Sequence, residues 1–237
     1  MSSFVHLHVH SHYSMLDSTV KVGALLKRTA KLGMNAVAIT DHGVLHSCIE
    51  LQKYAKDSGV RPIFGAELYV QPERAESGRE RFYHLVLLAE TLDGYRNLVR
   101  LVSRASMSAN VKRGRPITTY ADLEELHEGL IALSGDMGGE IPQAILRGDT
   151  GAATALAKRL QGLFGEANFY FELQRHEDIP QQQQVCDALV ALGERLSIPC
   201  VATNNVHYLA PEDVEAHALL MCIGMEKRVD RKVLAGI

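Results

Sequence analysis

The strongest constraint on the fold is an alternation, from end to end, of short apolar runs with longer stretches of helical period. AVAIT (36–40) and LIALS (130–134) are continuous apolar runs, the mark of strands buried on both faces. FVHLHV (4–9), RPIFGAELYV (61–70), FYHLVLLA (82–89), NFYFELQ (168–174) and PCVAT (199–203) complete a set of seven predicted strands. Helical patterns fall between them at 20–32, 45–57, 92–106, 140–147, 150–163 and 180–196, with a last helix starting at Pro211. Gly33 and Gly59 stand where the first two helices should stop. Strands separated by helices predict a parallel α/β architecture, either an open doubly wound sheet or a closed barrel. Neither GxGxxG nor GxxxxGK[ST] opens the first helix, so the usual nucleotide-binding signatures are missing. The stretch 71–81 reads as a charged polar loop. The stretch 106–119, carrying VKRGRP (111–116), reads as a surface linker. A basic loop of this kind is ordinarily solvated, and the alternative is contact with a phosphate backbone.

A length of 237 residues fits one large domain, 1–237, because α/β barrels often run this long undivided. No apolar run approaches the ~18 residues needed to span a bilayer, and the N-terminus lacks a signal-peptide pattern. The four cysteines are scattered, with no CxxC pair, and read as reduced thiols of a cytoplasmic protein. Net charge is −3, so nucleic acid could be met only through a local patch.

Histidine is distributed unevenly: of 11 in the chain, His6, His8, His10 and His12 fall within one short segment. On a strand, residues two apart face the same way, so His6, His8 and His10 are expected on one face, with Val5, Leu7 and Val9 on the other. Three imidazoles make a poor core, since each ring brings two nitrogens that need partners. They make good ligands for Zn²⁺, Mn²⁺ or Fe.

Metal-capable residues then recur where strands end. Asp41 and His42 close the second predicted strand, Glu67 interrupts the third, Asp136 follows the fifth, and Asn205 and His207 follow the last. In parallel α/β folds such ends build the active site. His84 departs from the pattern because it precedes most of its apolar run. Glu67 could bridge two ions, and two ions a few ångströms apart suit phosphoester hydrolysis. Asp41 could orient an imidazole or bind metal directly, and the spacing leaves both open.

HLHVHS (6–11), Ser14, Asp17, ITDHG (39–43), GAE (65–67) and His84 resemble the motifs of the PHP (polymerase and histidinol phosphatase) superfamily. YSMLD (13–17), YHLVLLA (83–89), GYRNL (94–98), LIALSG (130–135), FELQ (171–174) and VATNNVHYL (201–209) are similar to the N-terminal domain of bacterial DNA polymerase III alpha subunits, a likeness continued by PED (211–213) and EAH (215–217). The resemblance implies a distorted (β/α)7, TIM-like barrel with up to three metals. It assigns one ion to His8, His10, Glu67 and Asn205, the last standing where the family usually has Asp. A second falls to Glu67, His84 and Asp136, where Asp136 replaces a more usual Cys or His. A third falls to Asp17, His42 and His207. Asp41, His42 and Glu67 are the candidate catalytic residues.

The resemblance also implies a function: a 3′–5′ exonuclease acting on a DNA 3′ end, within a longer polymerase alpha chain whose polymerising residues lie beyond Ile237. In relatives that have lost ligands, such a domain is a scaffold that docks a separate proofreading subunit. A free-standing phosphatase of the histidinol-phosphate type is the third reading.

Overall fold

The computed structural model describes residues 4–73, 81–176 and 179–225. In chain order the elements are α1 (Val22–Lys31), β1 (Ala36–Ile39), α2 (Cys48–Ser58), β2 (Arg61–Gln71), β3 (Tyr83–Ala89), α3 (Leu92–Ala105), β4 (Val111–Lys112), β5 (Arg115–Thr119), α4 (Tyr120–Leu126), β6 (Leu130–Leu133), α5 (Glu140–Leu146), α6 (Thr150–Phe164), β7 (Phe169–Leu173), α7 (Pro180–Leu196), β8 (Cys200–Ala202) and, after a 3₁₀ turn at Pro211–Asp213, α8 (Val214–Gly224). The expected strands and helices are therefore largely present. Most of the loop predicted at 71–81 lies outside the described residues.

The strands close into a barrel. β1 pairs with β2, and the order continues β2-β3-β6-β7-β8. The extended segment 4–10 bridges the gap: His6 pairs with Val37 beside β1, and Val9 pairs with Val206 just beyond β8. Seven staves thus surround one interior, a distorted TIM-like barrel. An inward cluster draws on every stave: Leu7, Ala38, Ile63, Val86 and Leu88, Ile131 and Leu133, Tyr170, and Val201. A larger apolar layer packs α3 to α7 against the outside of β2, β3, β6 and β7, and a smaller one packs α1 and α2 against β1.

Three expectations need correction. First, the segment 4–9 forms isolated bridges and no continuous ladder. The Thr40 hydroxyl takes the Val9 N–H (3.1 Å), a donor that a regular ladder would pair with backbone. Leu7 packs with the inward cluster while Val9 packs outward with Val37 and Ile39, so the period of two fails between them. His6 is thereby separated from His8 and His10, and its ring lies edge-on to Phe4 (4.8 Å).

Second, the sheet is not all parallel. β3 runs antiparallel to both β2 and β6.

Third, the stretch 106–119 is no simple loop. It holds the β4–β5 hairpin, with β5 parallel to β2 from Tyr69↔Ile117 to Gln71↔Thr119, where Ile117 and Thr118 are buried. α4 follows at once, started by a capping box in which Thr119 and Asp122 satisfy each other's backbone N–H.

Candidate metal centre

Barrel parity places the site. Inward residues recur every second position, so those above Ala38, Ile63, Tyr170 and Val201 toward the strand C-termini are Thr40 and His42, Glu67, Glu172, and Thr203. On β3 the direction is reversed, and the residue above Leu88 and Val86 is His84. Gly65, at the inward position below Glu67, has no room for a side chain: a Cβ there would lie 2.7 Å from both Leu87 O and Leu88 Cδ2.

The residues meeting at this mouth form three overlapping groups able to hold a metal ion: His8, His10 and Glu67; Glu67, His84 and Asp136; and His10, Asp17, His42 and His207. Glu67 belongs to two of them and His10 to two. The Glu67 carboxylate is fully buried. Its Oε2 contacts His8 Nε2 and lies 3.3 Å from His10 Nε2, while Oε1 lies 2.6 Å from His84 Nδ1 and 3.4 Å from His42 Nδ1. Among the described residues Oε1 has no hydrogen-bond partner. His84 Nδ1 instead bonds Asp136 Oδ1 at 2.9 Å. Asp17 Oδ2 accepts from His42 Nε2 (2.8 Å) and from His207 Nε2 (2.9 Å).

Supporting contacts fix these side chains. His8 Nδ1 donates to Glu172 Oε1 (2.6 Å), which also accepts from Gln174 Nε2 (2.8 Å) and from the Thr203 hydroxyl. Asp41 joins none of the three groups. Its carboxylate accepts from Ser11 N (2.6 Å), Ser11 Oγ (2.8 Å) and Ser14 Oγ (2.9 Å), and Ser14 Oγ lies 3.0 Å from His10 Nδ1. The Asp41 side chain therefore reaches the ligand groups through Ser14. Asn205 adopts a left-handed backbone (φ 47°), tolerated by Asn. Its Nδ2 donates to Asp136 Oδ2 at 3.3 Å, and its buried Oδ1 has no partner among the described residues. That contact sets Asn205 beside the Glu67–His84–Asp136 group.

Charge follows from this packing. Burial opposes ionisation throughout, but in most cases opposite charges prevail. His84 and His8 hold the Glu67 carboxyl well below the usual range, and Glu172 with Glu67 holds His8 well above it. His42 is pushed up to about 9 by Asp17 and Glu67, and His84 to about 10 by Glu67 and Asp136. His207 and His42 lower Asp17. In His10 burial prevails, and its ring falls to about 3. Carboxylates and imidazoles packed this densely, with a buried carboxylate oxygen and a buried amide oxygen lacking partners among the described residues, are the chemistry of a cation site. The donor set fits Zn²⁺, Mn²⁺ or Fe.

All nine candidate ligands lie at this mouth. The sequence reading missed Glu172, Thr203 and Gln174, although a Glu inside the apolar run FYFEL was a signal of the same kind as Glu67. It also gave no role to His217, whose Nε2 lies 2.9 Å from Asp17 O. It assigned none to Tyr69, which stacks on His42 at 5.6 Å.

Comparison with known proteins gives the family. Residues 6–176 match the PHP domain. DNA polymerase III subunit alpha of Treponema pallidum (strain Nichols) is 40% identical over 231 residues, covering 95% of this chain and 19% of that protein. The Pseudomonas aeruginosa subunit is 39% identical (96% and 19%), and an error-prone DNA polymerase of Symbiobacterium thermophilum is 39% identical (97% and 21%). The chain thus spans about a fifth of the length of the curated relatives it matches. Among solved structures, an amidohydrolase from Chromobacterium violaceum superposes with TM-score 0.59 at 14% identity, covering 88% of this chain and 89% of that one. A Bifidobacterium adolescentis protein assigned as a metal-dependent phosphoesterase gives 0.50 at 14% identity (86% and 87%). These two likenesses bear on the fold. The chain belongs to the PHP domain family.

Proposed function

We propose that the chain is a single PHP domain acting as a metal-dependent phosphoesterase on DNA 3′ ends, within a cytoplasmic polymerase alpha chain of the kind its relatives represent. The observation that carries this reading is Glu67, one buried carboxylate shared by two ligand groups that adjoin a third through His10. His8, His10 and Glu67 would hold one ion, Glu67, His84 and Asp136 a second beside Asn205, and Asp17, His42 and His207 a third. Zn²⁺, Mn²⁺ or Fe bound there supplies Lewis acidity, neutralising phosphate charge and easing deprotonation of the attacking water.

The chain's own residues supply position. Glu172 orients His8, while Asp41 orients His10 through Ser14. Asp17, His42, His84, Asp136 and His207 are all partly exposed, so the substrate meets the centre from the open mouth of the barrel. No described helix is long and apolar enough to cross a membrane.

A 5′-labelled single-stranded oligodeoxynucleotide incubated with the chain and Mn²⁺ should shorten from its 3′ end, and His10→Ala should abolish the ladder. Equal activity in that variant would overturn the reading. Asn205 favours one alternative, a scaffold that docks a separate proofreading subunit, because a neutral amide adjoins Asp136. Near-zero bound metal in protein prepared without chelators would select that alternative.

A further inference from the structure

The basic stretch 111–116 holds a defined place beside the centre. Pro116 rests on Gly43, next to His42: a Cβ at Gly43 would lie 2.4 Å from Pro116 Cγ. Arg113 (φ 51°) and Gly114 (φ 75°) form a two-residue hairpin turn with both backbones left-handed, the geometry that matches strand twist. Lys112 Nζ ties the hairpin to β2 by donating to Gln71 Oε1 (2.8 Å). The guanidinium of Arg115 lies 5.0 Å from the centre of the Tyr69 ring, and that ring adjoins His42 (5.6 Å) and His84 (5.4 Å). Arg113 and Arg115 are thus presented from a framed turn toward the barrel mouth.

Between this turn and the start of β3 lies an open cavity of about 580 Å³, lined by Arg81, Phe82, Tyr83, Arg113, Arg115 and Gly138, among others. None of the described residues lining it is acidic. The cavity runs into the ligand groups through Gly138, whose N–H donates to Asp136 Oδ1 (2.8 Å), and a Cβ there would lie 2.8 Å from His84 Nδ1. In a chain of net charge −3, Arg113 and Arg115 beside the ligand groups form a local positive patch. Guanidinium forks suit phosphate oxygens, and the volume exceeds what a lone phosphate group requires.

We propose that this cavity is a polynucleotide subsite, in which Arg113 and Arg115 hold backbone phosphates of the single strand leading into the centre. The inference rests on the phosphoesterase reading for the direction of the strand. It gives the centre a preference for a nucleic-acid strand over a small phosphomonoester.

The test is fluorescence anisotropy of a short labelled single-stranded oligodeoxynucleotide titrated with the 237-residue chain in EDTA, so that neither metal nor cleavage enters. The Arg113→Gln/Arg115→Gln variant should bind about tenfold more weakly. Its slope of log K against log salt should shrink by about 1.4, or ~0.7 per lost phosphate contact on a single strand. Arg100→Gln, on α3, should bind as the parent does. If the double Gln variant fails to fold by thermal melt, the double Lys variant takes its place, with an intermediate loss expected. Unchanged affinity and slope, no binding by the parent, or displacement of the oligonucleotide by inorganic phosphate at equal phosphate concentration would each overturn the subsite. Arginine-dependent binding without cleavage in Mn²⁺ would remove the phosphoesterase reading and leave the subsite. Cleavage with arginine-independent binding would do the reverse.

Discussion

His84 Nδ1 lies 2.6 Å from Glu67 Oε1 although the two residues sit on strands that run in opposite directions. The reversal is what brings them together: His84 opens β3 at the same barrel mouth toward which β2 carries Glu67. Replacing Glu67 by Gln keeps the shape and removes the charge that faces His8 and His84. Only the His10–Asp17–His42–His207 group then stays complete, so bound metal should fall to at most one ion per chain by elemental analysis. Without metal, removing one partner of a buried ion pair costs about 3–5 kcal/mol. A thermal melt would register that loss at about 2–4 °C per kcal/mol. Full metal retention in Glu67→Gln would contradict the shared-ligand arrangement.

Glu172 offers a milder perturbation. It contacts His8 and sits in none of the three ligand groups, so Glu172→Gln should leave the centre assembled but release His8 Nδ1 from a charged acceptor. Loss of such an orienting carboxylate typically lowers metal affinity about 10–100-fold. Competition against a chromophoric chelator would measure it, and an unchanged affinity would mean that Glu172 serves packing alone.

The metal-free chain should be most stable near pH 6.5, the ordinary histidine value. His42 and His84 have pKa values raised to about 9 and 10, so their stabilising contribution is complete below pH 6.5 and is lost as pH climbs through 9 to 10. His10 is lowered to about 3, so between pH 3 and 6.5 the unfolded chain binds the extra proton and stability rises with pH. Melting temperature in EDTA should therefore peak near neutrality and fall toward pH 10. The stabilisation gained from added metal should grow over pH 6 to 9, because ions compete with protons for the same imidazoles. A metal-free melting temperature still rising between pH 7 and 10 would show that the cluster is not charged in this way.

The barrel was legible where residue type and period agree. AVAIT and LIALS read as two-sided strands because β1 and all but Ile131 of β6 are fully enclosed. Gly59, left-handed at φ 69°, closes α2 where its position suggested. The site was legible for a different reason: imidazoles and carboxylates at strand ends have no place in an apolar core. What failed was whatever depended on partners distant in sequence. The direction of β3 is set by pairing with β2 and β6, and nothing within FYHLVLLA encodes it. His84 was the trace of that reversal, a candidate ligand at the apparently wrong end of its strand. The pairing of His6 with His8 failed because Thr40, thirty-one residues beyond Val9, diverts one backbone bond. The hairpin at 111–119 has too few apolar residues to announce a strand, and β2 supplies the edge on which it forms.

Asn205 provides the sharpest test of whether the centre is tuned or decaying. Its Oδ1 is buried without a partner among the described residues, and its Nδ2 faces Asp136 Oδ2 at 3.3 Å. Asn205→Asp would set two carboxylates against each other in the metal-free chain, and like charges at this distance destabilise. The melting temperature in EDTA should therefore drop. With metal bound the same carboxylate becomes a stronger donor than an amide oxygen, so affinity and cleavage should both rise. The signature is a change of sign: Asn205→Asp should melt below the parent in EDTA and above it with saturating Mn²⁺. If the variant stays less stable under both conditions and binds no more metal, Asn205 has no ligand role. Its amide then serves only to neutralise Asp136, as the scaffold alternative requires.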